Sequence, residues 1–404
     1  MRQDFDVDVV VVGAGIHGAG MAQAVAAAGH SVWLLERTAI AIGSSSRSSK
    51  LIHGGLRYLE TGQFHLVRES LQERATLLRI APELVHLKRF YVPIYKTTRR
   101  RPWQLRLGLS LYALLAGFTR ASHFGTVPRR EWRQLDGLEM RGLTTVFCYH
   151  DAQTDDQALT GAVVRSAQGL GARLICPAQL QRAELTDAGV DLVYRHDSGE
   201  HDAREHSCRA RVLVNAAGPW ADKLAAAITP AIPVPALECV QGAHIVLPGT
   251  IERGIYYLES PRDGRALFVM PWRGQLMVGT TETRFHGDPG DVQASQAEIH
   301  YLLGVLGHYF PRYRAITPSD VASSFAGLRV LPGGAGHAFH RPRETMLVPD
   351  RTPHPRVLSI YGGKLTTYRA VAQRALQQIA PSLPPPSGNA RTGARTDQLP
   401  LRPV

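Results

Sequence analysis

Three glycines near the start of the chain, Gly13, Gly15 and Gly18, have the Gly-x-Gly-x-x-Gly spacing of a dinucleotide-binding turn. In such a turn the first glycine permits the tight bend, the second lets the backbone approach a pyrophosphate, and the third lets a helix pack closely on a strand. Glu36 follows about 20 residues later, where a carboxylate accepts hydrogen bonds from an adenosine ribose. These residues predict a dinucleotide site, but the fingerprint alone does not separate FAD from NAD.

The segments on both sides of the glycines predict the elements that position them. Val9–Val12 is a short β-branched apolar run, as expected of a strand buried on both faces. Ala- and Met-rich helical sequence then runs to about Ala28, Gly29 is a typical helix stop, and Ser31–Leu35 is predicted to be the next strand. The helix N-terminus would offer free N–H groups and a partial positive charge to phosphates. We therefore predict a βαβ unit.

A serine-rich segment, 43–50, runs directly into a glycine-containing segment, 51–60, with the sequence LIHGGLRYLE. The serines alone would be typical of a solvated linker. Small hydroxylated residues and glycines also let the backbone approach a flat ligand, and hydroxyls together with Lys50 can bind its phosphates. The direct continuation into the second segment favours this ligand-binding interpretation.

Composition restricts the partners. The chain has 404 residues, with 46 Lys and Arg against 34 Asp and Glu, for a formal net charge of +12. This length is enough for two structural domains. The surplus of positive charge favours an anionic partner: a phosphate substrate, an anionic membrane surface or nucleic acid. Because the sequence has no zinc-ligand spacing, homeodomain-like helix or RNP-like aromatic strand, we expect no nucleic-acid partner.

The cysteines carry no recognisable site, because they are scattered and form no Cys-x-x-Cys pair. Their pattern favours a reducing compartment and predicts neither a metal site nor disulfides. Aspartates before the first apolar run argue against a secretory signal, and no run of about 18 apolar residues predicts a membrane span. We therefore expect a cytoplasmic protein. The four cysteines are Cys148, Cys176, Cys208 and Cys239.

The motif SSxSSKLIHGGLRYLE, which ends at Glu60, closely resembles the flavin-dependent glycerol-3-phosphate dehydrogenases of the glycine/D-amino-acid oxidase superfamily. The resemblance covers most of residues 5–380. Many members carry a further helical domain after this point, whereas this sequence continues as a Pro/Gly/Arg-rich segment. The other blocks that carry the resemblance are Phe64–Ile80, Phe90, Pro93, Asn215–Trp220, Gly242–Val246, Gly279–Thr281, Phe325–Arg329 and Tyr361–Tyr368.

The resemblance implies an α/β fold, in which a Rossmann-like FAD-binding domain carries a second, mostly antiparallel β substrate domain. We expect the FAD-binding domain to be discontinuous and to comprise residues 1–90, 151–235 and 323–380. The substrate domain would comprise residues 91–150 and 236–322. Residues 381–404 lack periodicity and are predicted to be disordered.

The resemblance identifies FAD as the cofactor, and a second fingerprint for NADPH is absent from the sequence. Lys364 precedes a predicted helix, where it can face the electron-rich edge of a reduced flavin. The cofactor-binding residues that the resemblance implies are Gly13, Gly15, Ile16, His17, Gly18, Glu36, Arg37, Ser44, Ser45, Ser48, Ser49, Lys50, Leu51, His53, Gly54, Gly55, Leu56, Ala217, Gly218, Trp220, Gly327, Gly362, Gly363, Lys364, Leu365 and Thr366.

The resemblance also implies a site for a small phosphate monoester. Such a group needs two or more cations, and arginine binds it with two parallel hydrogen bonds. Arg329 matches the phosphate-binding arginine of the family, and Arg343 matches the second, with Arg341 as the alternative. Arg57 is expected to be the third cation, next to Tyr58 in the same block.

Oxidation of a secondary alcohol requires removal of the hydroxyl proton, for which a base with a pKa near neutrality is suited. His244 matches the active-site histidine of the family and is our first candidate, and His53 is the competitor. Arg57, Arg329 and Lys364 complete the predicted catalytic set. No metal site is expected.

The segment 99–120 has a basic residue at each end and an apolar part of about a dozen residues, too short to span a bilayer. One interpretation is a helix on an anionic membrane surface, and the other is a buried helix with a basic entry loop. The resemblance favours peripheral contact with the inner face of the cytoplasmic membrane, where quinone would accept the electrons. It is also compatible with a homodimer.

Asp155 and Asp156 open a predicted helix. Paired acids can be catalytic, but acids at a helix start are more often caps that complement the helix dipole. We therefore favour the capping role.

These observations predict FAD-dependent oxidation of sn-glycerol 3-phosphate to dihydroxyacetone phosphate, with electrons passed to quinone, oxygen or another acceptor. The alternative within the superfamily is oxidation of another hydroxy acid or amine, such as 2-hydroxyglutarate, which needs no phosphate pocket. A third hypothesis, a flavoprotein that serves as a sensor or assembly partner, is disfavoured by the intact set of Arg57, His244, Arg329 and Lys364.

Overall fold

The computed structural model describes residues 4–197, 204–333, 345–385 and 395–403. Within these residues the α-helices are, in chain order, α1 (Ile16–Ala27), α2 (Phe64–Ile80), α3 (Pro102–Leu115), α4 (Asp156–Gly169), α5 (Ala221–Ala225), α6 (Gln296–Tyr309) and α7 (Tyr368–Ile379). The strands are β1 (Val7–Val12), β2 (Val32–Leu35), β3 (Leu51–Ile52), β4 (Val85–Tyr95), β5 (Gly125–Thr126), β6 (Leu143–Thr154), β7 (Arg173–Ile175), β8 (Ala178–Leu185), β9 (Val190–His196), β10 (Arg204–Asn215), β11 (Ile228–Thr229), β12 (Leu237–Leu247), β13 (Ile255–Glu259), β14 (Ala266–Trp272), β15 (Gln275–Gly279), β16 (Thr283–Phe285), β17 (Ser323–Pro332), β18 (Met346–Pro349) and β19 (Val357–Tyr361).

The first sheet is built around β1. This strand runs parallel to β2 on one side and β10 on the other, with Val9 opposite both Val32 and Val212. β7 follows β2, while β9, β8 and β11 continue beyond β10, which also pairs with β19. Helix α1 packs against α4 and α7 and contributes to a core with the apolar side chains of β1. The predicted βαβ unit is confirmed.

The second sheet is mostly antiparallel, as expected. Its order is β16, β12, β15, β14, β13, β4, β6 and β3, with β17 on β12 and β5 on β6. β13 and β4 form a parallel pair. β12 to β15 lie within residues 236–322, the range expected for part of the substrate domain. The α/β fold with two sheets of different type is therefore the one the sequence predicts.

Two strands belong to a different sheet from the one that the expected domain boundaries imply. β4 begins at Val85 and belongs to the second sheet, so the first domain does not extend to residue 90 along this strand. β17 was expected to return to the first domain, but it pairs with β12 along its whole length, with Gly327 opposite Gly242. Buried strands of both sheets have the same apolar composition, so composition does not reveal which sheet a strand joins.

Part of the segment predicted to be disordered is packed on the first domain. Residues Ala380–Ser382 and Thr396–Gln398 form 3-10 turns, and the backbone N–H of Leu401 donates to the Ile80 carbonyl at 2.7 Å. Thr396 and Leu401 are buried. The prediction of disorder is therefore wrong for residues 395–403, because a few buried side chains anchor an otherwise polar segment. Residues 386–394 lie outside the described part.

Helix α3 occupies the segment with the two alternative interpretations. Trp103, Leu107 and Leu114 lie along one side of it and are each more than half exposed, as is Phe118 just after the helix. Leu105, Leu109 and Tyr112 lie on the opposite side and are buried. The helix is thus buried on one face only. Among the described residues, no helix has the length and apolar character needed to cross a membrane.

Candidate active site

A cavity of about 550 Å³ is lined by residues from both sheets. The first sheet contributes the turn after β1, residue 36 after β2, the turn after β10 and the segment 362–366 after β19. The second sheet contributes residues of β12, β14 and β17 together with the turn at 280–282. The serine-rich segment and the segment 53–58 complete the wall. The blocks that the sequence distributes over three hundred residues therefore meet around one space.

The glycine fingerprint is required by close backbone contacts. Gly13 has φ +103°, and a Cβ at this position would lie 2.7 Å from the Ala216 carbonyl oxygen. A Cβ on Gly18 would lie 1.8 Å from the carbonyl oxygen of Gly13. Gly15 lines the cavity, and a Cβ there would lie 3.1 Å from Ser45 Oγ. Two of the glycines thus serve packing, while Gly15 leaves space at the cavity surface.

The residues beside the fingerprint fit a dinucleotide. The Glu36 carboxylate is buried and accepts hydrogen bonds from the backbone N–H groups of Ala14 and Thr38, both at 2.8 Å. The Ile16 N–H, in the first turn of α1, donates to Ser45 Oγ at 2.9 Å. The helix start and the serine segment are therefore adjacent, with a carboxylate fixed at the end of β2. This arrangement can hold the phosphates and the ribose of a dinucleotide.

Lys50 has a structural role. It is buried, its ammonium group lies 2.7 Å from Asp156 Oδ1, and the hydroxyl of Ser48 donates to Asp156 Oδ2 at 2.7 Å. The ammonium group of Lys50 is thus held by Asp156, and cofactor binding by Lys50 stays a prediction. Asp155 accepts a hydrogen bond from the Ala158 N–H and caps α4, as predicted, whereas Asp156 neutralises Lys50.

Most of the predicted site residues line the cavity, and their roles stay predictions. Arg57, Tyr58, His244 and Arg329 are among them, as are nearly all the predicted cofactor residues. The cavity wall excludes Gly18, Lys50 and Gly54. Arg341 and Arg343, the two alternatives for the second phosphate arginine, lie outside the described residues.

His244 is buried in the cavity wall. It is 1% exposed, its ring stacks on Phe325 with centroids 4.9 Å apart, and its Nε2 lies 2.9 Å from Ser49 Oγ. Burial, followed by the charges of Arg329 and Lys50, lowers the pKa of His244 to about 3. The expectation of a pKa near neutrality is therefore wrong for the protein without ligand. At neutral pH the imidazole is uncharged and has a lone pair that can accept a proton.

The cations of the cavity come from separate elements. The Arg329 guanidinium, on β17, donates to Thr280 Oγ1 at 3.2 Å. Lys364 Nζ lies 3.8 Å from the centroid of the Tyr58 ring. Arg57 lies in the 3-10 helix Leu56–Thr61. These groups surround a space that can hold a small anion beside a neutral histidine.

Sequence reasoning missed several residues of the cavity wall. Arg265 donates to the Glu282 carbonyl at 2.6 Å and is a further cation at the cavity. Thr280 and Thr281 lie in the Gly279–Thr281 block, so the resemblance contained a signal for them. Arg265 and the aromatic residues have no such signal, because they reach the cavity only through strand pairing. The missed residues include Tyr257, Arg265, Phe268, Thr280, Thr281 and Glu282.

Comparisons with known proteins point to one family. The family described as FAD dependent oxidoreductase matches residues 8–369. Glycerol-3-phosphate dehydrogenase of Pseudomonas aeruginosa is 36% identical over 93% of this chain and 72% of its own length. D-erythritol 1-phosphate dehydrogenase of Brucella abortus is 34% identical over 96% of this chain and 76% of its own length.

A solved structure extends the likeness to the fold. Glycerol-3-phosphate dehydrogenase from Bacillus halodurans, complexed with FAD, superposes with a TM-score of 0.74 at 25% identity. The match covers 98% of this chain and 67% of that one. The family match and the relatives over 30% identical lead to the same assignment: the chain belongs to the FAD dependent oxidoreductase family.

Proposed function

We propose that the chain oxidises sn-glycerol 3-phosphate to dihydroxyacetone phosphate with FAD. The observation that carries the proposal is the enclosure of neutral His244 in a cavity that also contains Arg329 and the dinucleotide turn. The likeness to the dehydrogenases of Pseudomonas aeruginosa and Bacillus halodurans supports the same substrate.

The residues present fit FAD. Gly15 leaves room for the pyrophosphate, Glu36 is placed for the ribose, and the segment 362–366 also lines the cavity. A Cβ on Gly363 would lie 2.1 Å from His17 Nε2, so this segment contacts the start of α1 closely. When bound, FAD supplies the group that accepts the hydride of the alcohol.

Arg57 and Arg329 are proposed to bind the substrate phosphate, because both line the cavity and arginine suits the geometry of a phosphate oxygen pair. Arg343, or Arg341 in its place, is the proposed further ligand. Binding energy from the phosphate would hold the secondary alcohol in a fixed orientation, although the phosphate takes no part in bond breaking.

His244 is proposed to accept the hydroxyl proton. In the protein without ligand, burial and two cations oppose its protonation. A phosphate dianion on Arg329 cancels part of that positive charge, so the pKa of His244 rises when the substrate binds. The base is thus weak in the empty cavity and stronger in the complex, where the proton must be accepted.

D-erythritol 1-phosphate is the second candidate substrate, because the Brucella abortus relative acts on it and is nearly as similar as the glycerol-3-phosphate dehydrogenase. The two compounds share a phosphate and differ in the length of the polyol. The same cations would bind the phosphate in both cases. The hydroxy-acid alternative has no comparable support from the cavity, which presents several cations for one small anion.

Anaerobic mixing of the FAD-loaded protein with four compounds tests the substrate. Glycerol 3-phosphate should bleach the flavin at the lowest concentration, and D-erythritol 1-phosphate should be slower. Glycerol and 2-hydroxyglutarate should leave the absorbance unchanged at the same concentrations. Faster bleaching by D-erythritol 1-phosphate would reassign the substrate, and selective bleaching by 2-hydroxyglutarate would contradict a phosphate site.

Quinone is the proposed electron acceptor, reached at an anionic membrane surface. The support is helix α3, whose exposed side carries Trp103, Leu107 and Leu114 and whose ends are basic. Aromatic and aliphatic side chains flanked by arginines are typical of helices that lie in the headgroup region.

A further inference from the structure

A chain of buried polar groups connects the interior side of helix α3 to the cavity wall. The backbone N–H of Gly54 donates to the hydroxyl oxygen of Tyr112 at 2.8 Å. The Tyr112 hydroxyl donates to Asp151 Oδ2 at 2.7 Å, and Asp151 Oδ1 forms an ion pair with Arg74. Each of the three residues that contribute side chains is at most 2% exposed: Tyr112, Asp151 and Arg74.

The directions of these hydrogen bonds are fixed by chemistry. Burial and the Asp151 carboxylate hold the pKa of Tyr112 well above its ordinary value, so the phenol keeps its proton. A carboxylate paired with Arg74 can only accept, which directs that proton to Asp151. The phenol oxygen is then left as the acceptor for the Gly54 N–H, and the neighbouring negative charge strengthens it in this role.

Gly54 is shaped for this contact. A Cβ at this position would lie 2.5 Å from the Tyr112 hydroxyl and 2.7 Å from Leu71. Only glycine therefore lets the backbone approach the phenol closely enough for the hydrogen bond. Gly54 itself does not line the cavity, so the requirement for glycine at this position comes from the contact with Tyr112.

The neighbours of Gly54 do line the cavity. His53 precedes it, and Gly55, at φ +77°, leads into the 3-10 helix that carries Arg57 and Tyr58. The backbone N–H of His53 donates to Thr366 Oγ1 at 3.2 Å. Two consecutive amides are thus held from two directions, one by the segment 362–366 and one by helix α3.

We infer that Tyr112 is a positioning residue for the oxidation, acting through the Gly54 amide on the segment 53–58. This inference rests on the proposed function, since it assigns the cavity residues His53 and Arg57 to that reaction. Tyr112 lies outside the cavity wall. It fixes the backbone from which these side chains extend, and small displacements of such groups slow a reaction strongly.

Tyr112→Phe tests the inference, because it keeps the ring and removes the hydroxyl. Hydrogen–deuterium exchange of the peptide covering 50–60 should become faster. The rate of flavin reduction per bound FAD should fall on the order of ten-fold at saturating glycerol 3-phosphate. Loss of stability alone would lower the fraction of loaded protein without changing the rate per bound FAD.

Tyr256→Phe is the matched control. Tyr256 is buried, and its hydroxyl donates to Asp136 Oδ2 at 2.7 Å, away from the cavity wall. In this variant the peptide 50–60 should exchange like that of the wild type, and the rate of flavin reduction per bound FAD should be unchanged. The inference is overturned if Tyr112→Phe has wild-type exchange in this peptide, or if its rate per bound FAD equals that of Tyr256→Phe.

A second variant and the wild-type reaction cover the remaining outcomes. If Tyr112→Phe does not fold, Asp151→Asn probes the same chain, and unchanged exchange at 50–60 in that variant would reject the inference. If glycerol 3-phosphate fails to reduce the wild type, the proposed substrate is wrong. The exchange measurement uses no substrate and still decides whether Tyr112 holds the segment.

Discussion

His244 Nε2 lies 2.9 Å from Ser49 Oγ, and this contact ties strand β12 to the serine-rich segment. His244 belongs to β12 of the second sheet, and Ser49 lies in the segment that connects β2 of the first sheet to β3 of the second. The proposed base is therefore held directly against a segment that is expected to bind the cofactor. With the proposed roles, this relationship would place proton removal and electron acceptance close together.

The low pKa of His244 predicts a specific pH dependence. With a pKa of about 3 in the protein without ligand, His244 stays uncharged over the whole neutral range. His244→Asn should lower kcat/KM for flavin reduction on the order of a hundred-fold or more, by a factor that is constant between about pH 5 and pH 8. Stopped-flow reduction of both proteins across this range gives the ratio of wild-type to variant kcat/KM at each pH.

A ratio that shrinks toward acid would contradict that prediction. It would show that His244 of the free protein becomes protonated between about pH 5 and pH 8. A variant with wild-type rates would identify another base, and His53, which also lines the cavity, would be tested next.

Arg329→Ala should act mainly on substrate affinity. Because the phosphate changes little during the reaction, the apparent KM for glycerol 3-phosphate should rise on the order of ten- to a hundred-fold. Turnover should fall less, since the phosphate also orients the alcohol. Arg312→Ala, at an arginine outside the cavity wall, is the control and should match the wild type. A drop in turnover with an unchanged KM would exclude phosphate binding by Arg329.

Gly15→Val should abolish FAD binding while the fold remains. Gly15 lines the cavity, and its Cβ position already lies 3.1 Å from Ser45 Oγ, so a branched side chain fills the space expected for the pyrophosphate. The purified variant should be colourless and have far-UV circular dichroism like that of the wild type. Stoichiometric flavin in this variant would show that the pyrophosphate lies elsewhere.

The exposed side of α3 predicts binding to anionic vesicles. Trp103→Ser together with Leu107→Ser should reduce co-sedimentation with phosphatidylglycerol vesicles and leave flavin reduction unchanged, because both side chains face away from the cavity. Leu170→Ser, at another exposed leucine, should bind like the wild type. Equal binding by all three proteins would assign the contact to another surface.

The sequence predicts local elements and contiguous blocks well. The βαβ unit from Val7 to Leu35 follows from residue types and glycine spacing, because each element is defined by its own periodicity. The resemblance identifies a set of cofactor residues, and nearly all of them line one cavity in the structure. These features depend on neighbours in the chain.

The contacts that the sequence did not reveal depend on distant partners. The ion pair of Lys50 with Asp156, more than a hundred positions away, has no local signal. Arg265 reaches the cavity from the position just before β14, and Tyr112 contacts the Gly54 amide through the packing of α3, so neither has a local signal. The same reason explains β17, whose composition fits either sheet.

Anaerobic stopped-flow reduction with glycerol 3-phosphate that carries deuterium at C2 tests hydride transfer from this carbon to the flavin. We expect complete loss of the oxidised flavin absorbance, one equivalent of dihydroxyacetone phosphate per FAD, and slower reduction than with the unlabelled compound. Unchanged absorbance, or equal rates for the labelled and unlabelled compounds in the bleaching phase at every concentration, would contradict rate-limiting hydride transfer from C2 in this cavity.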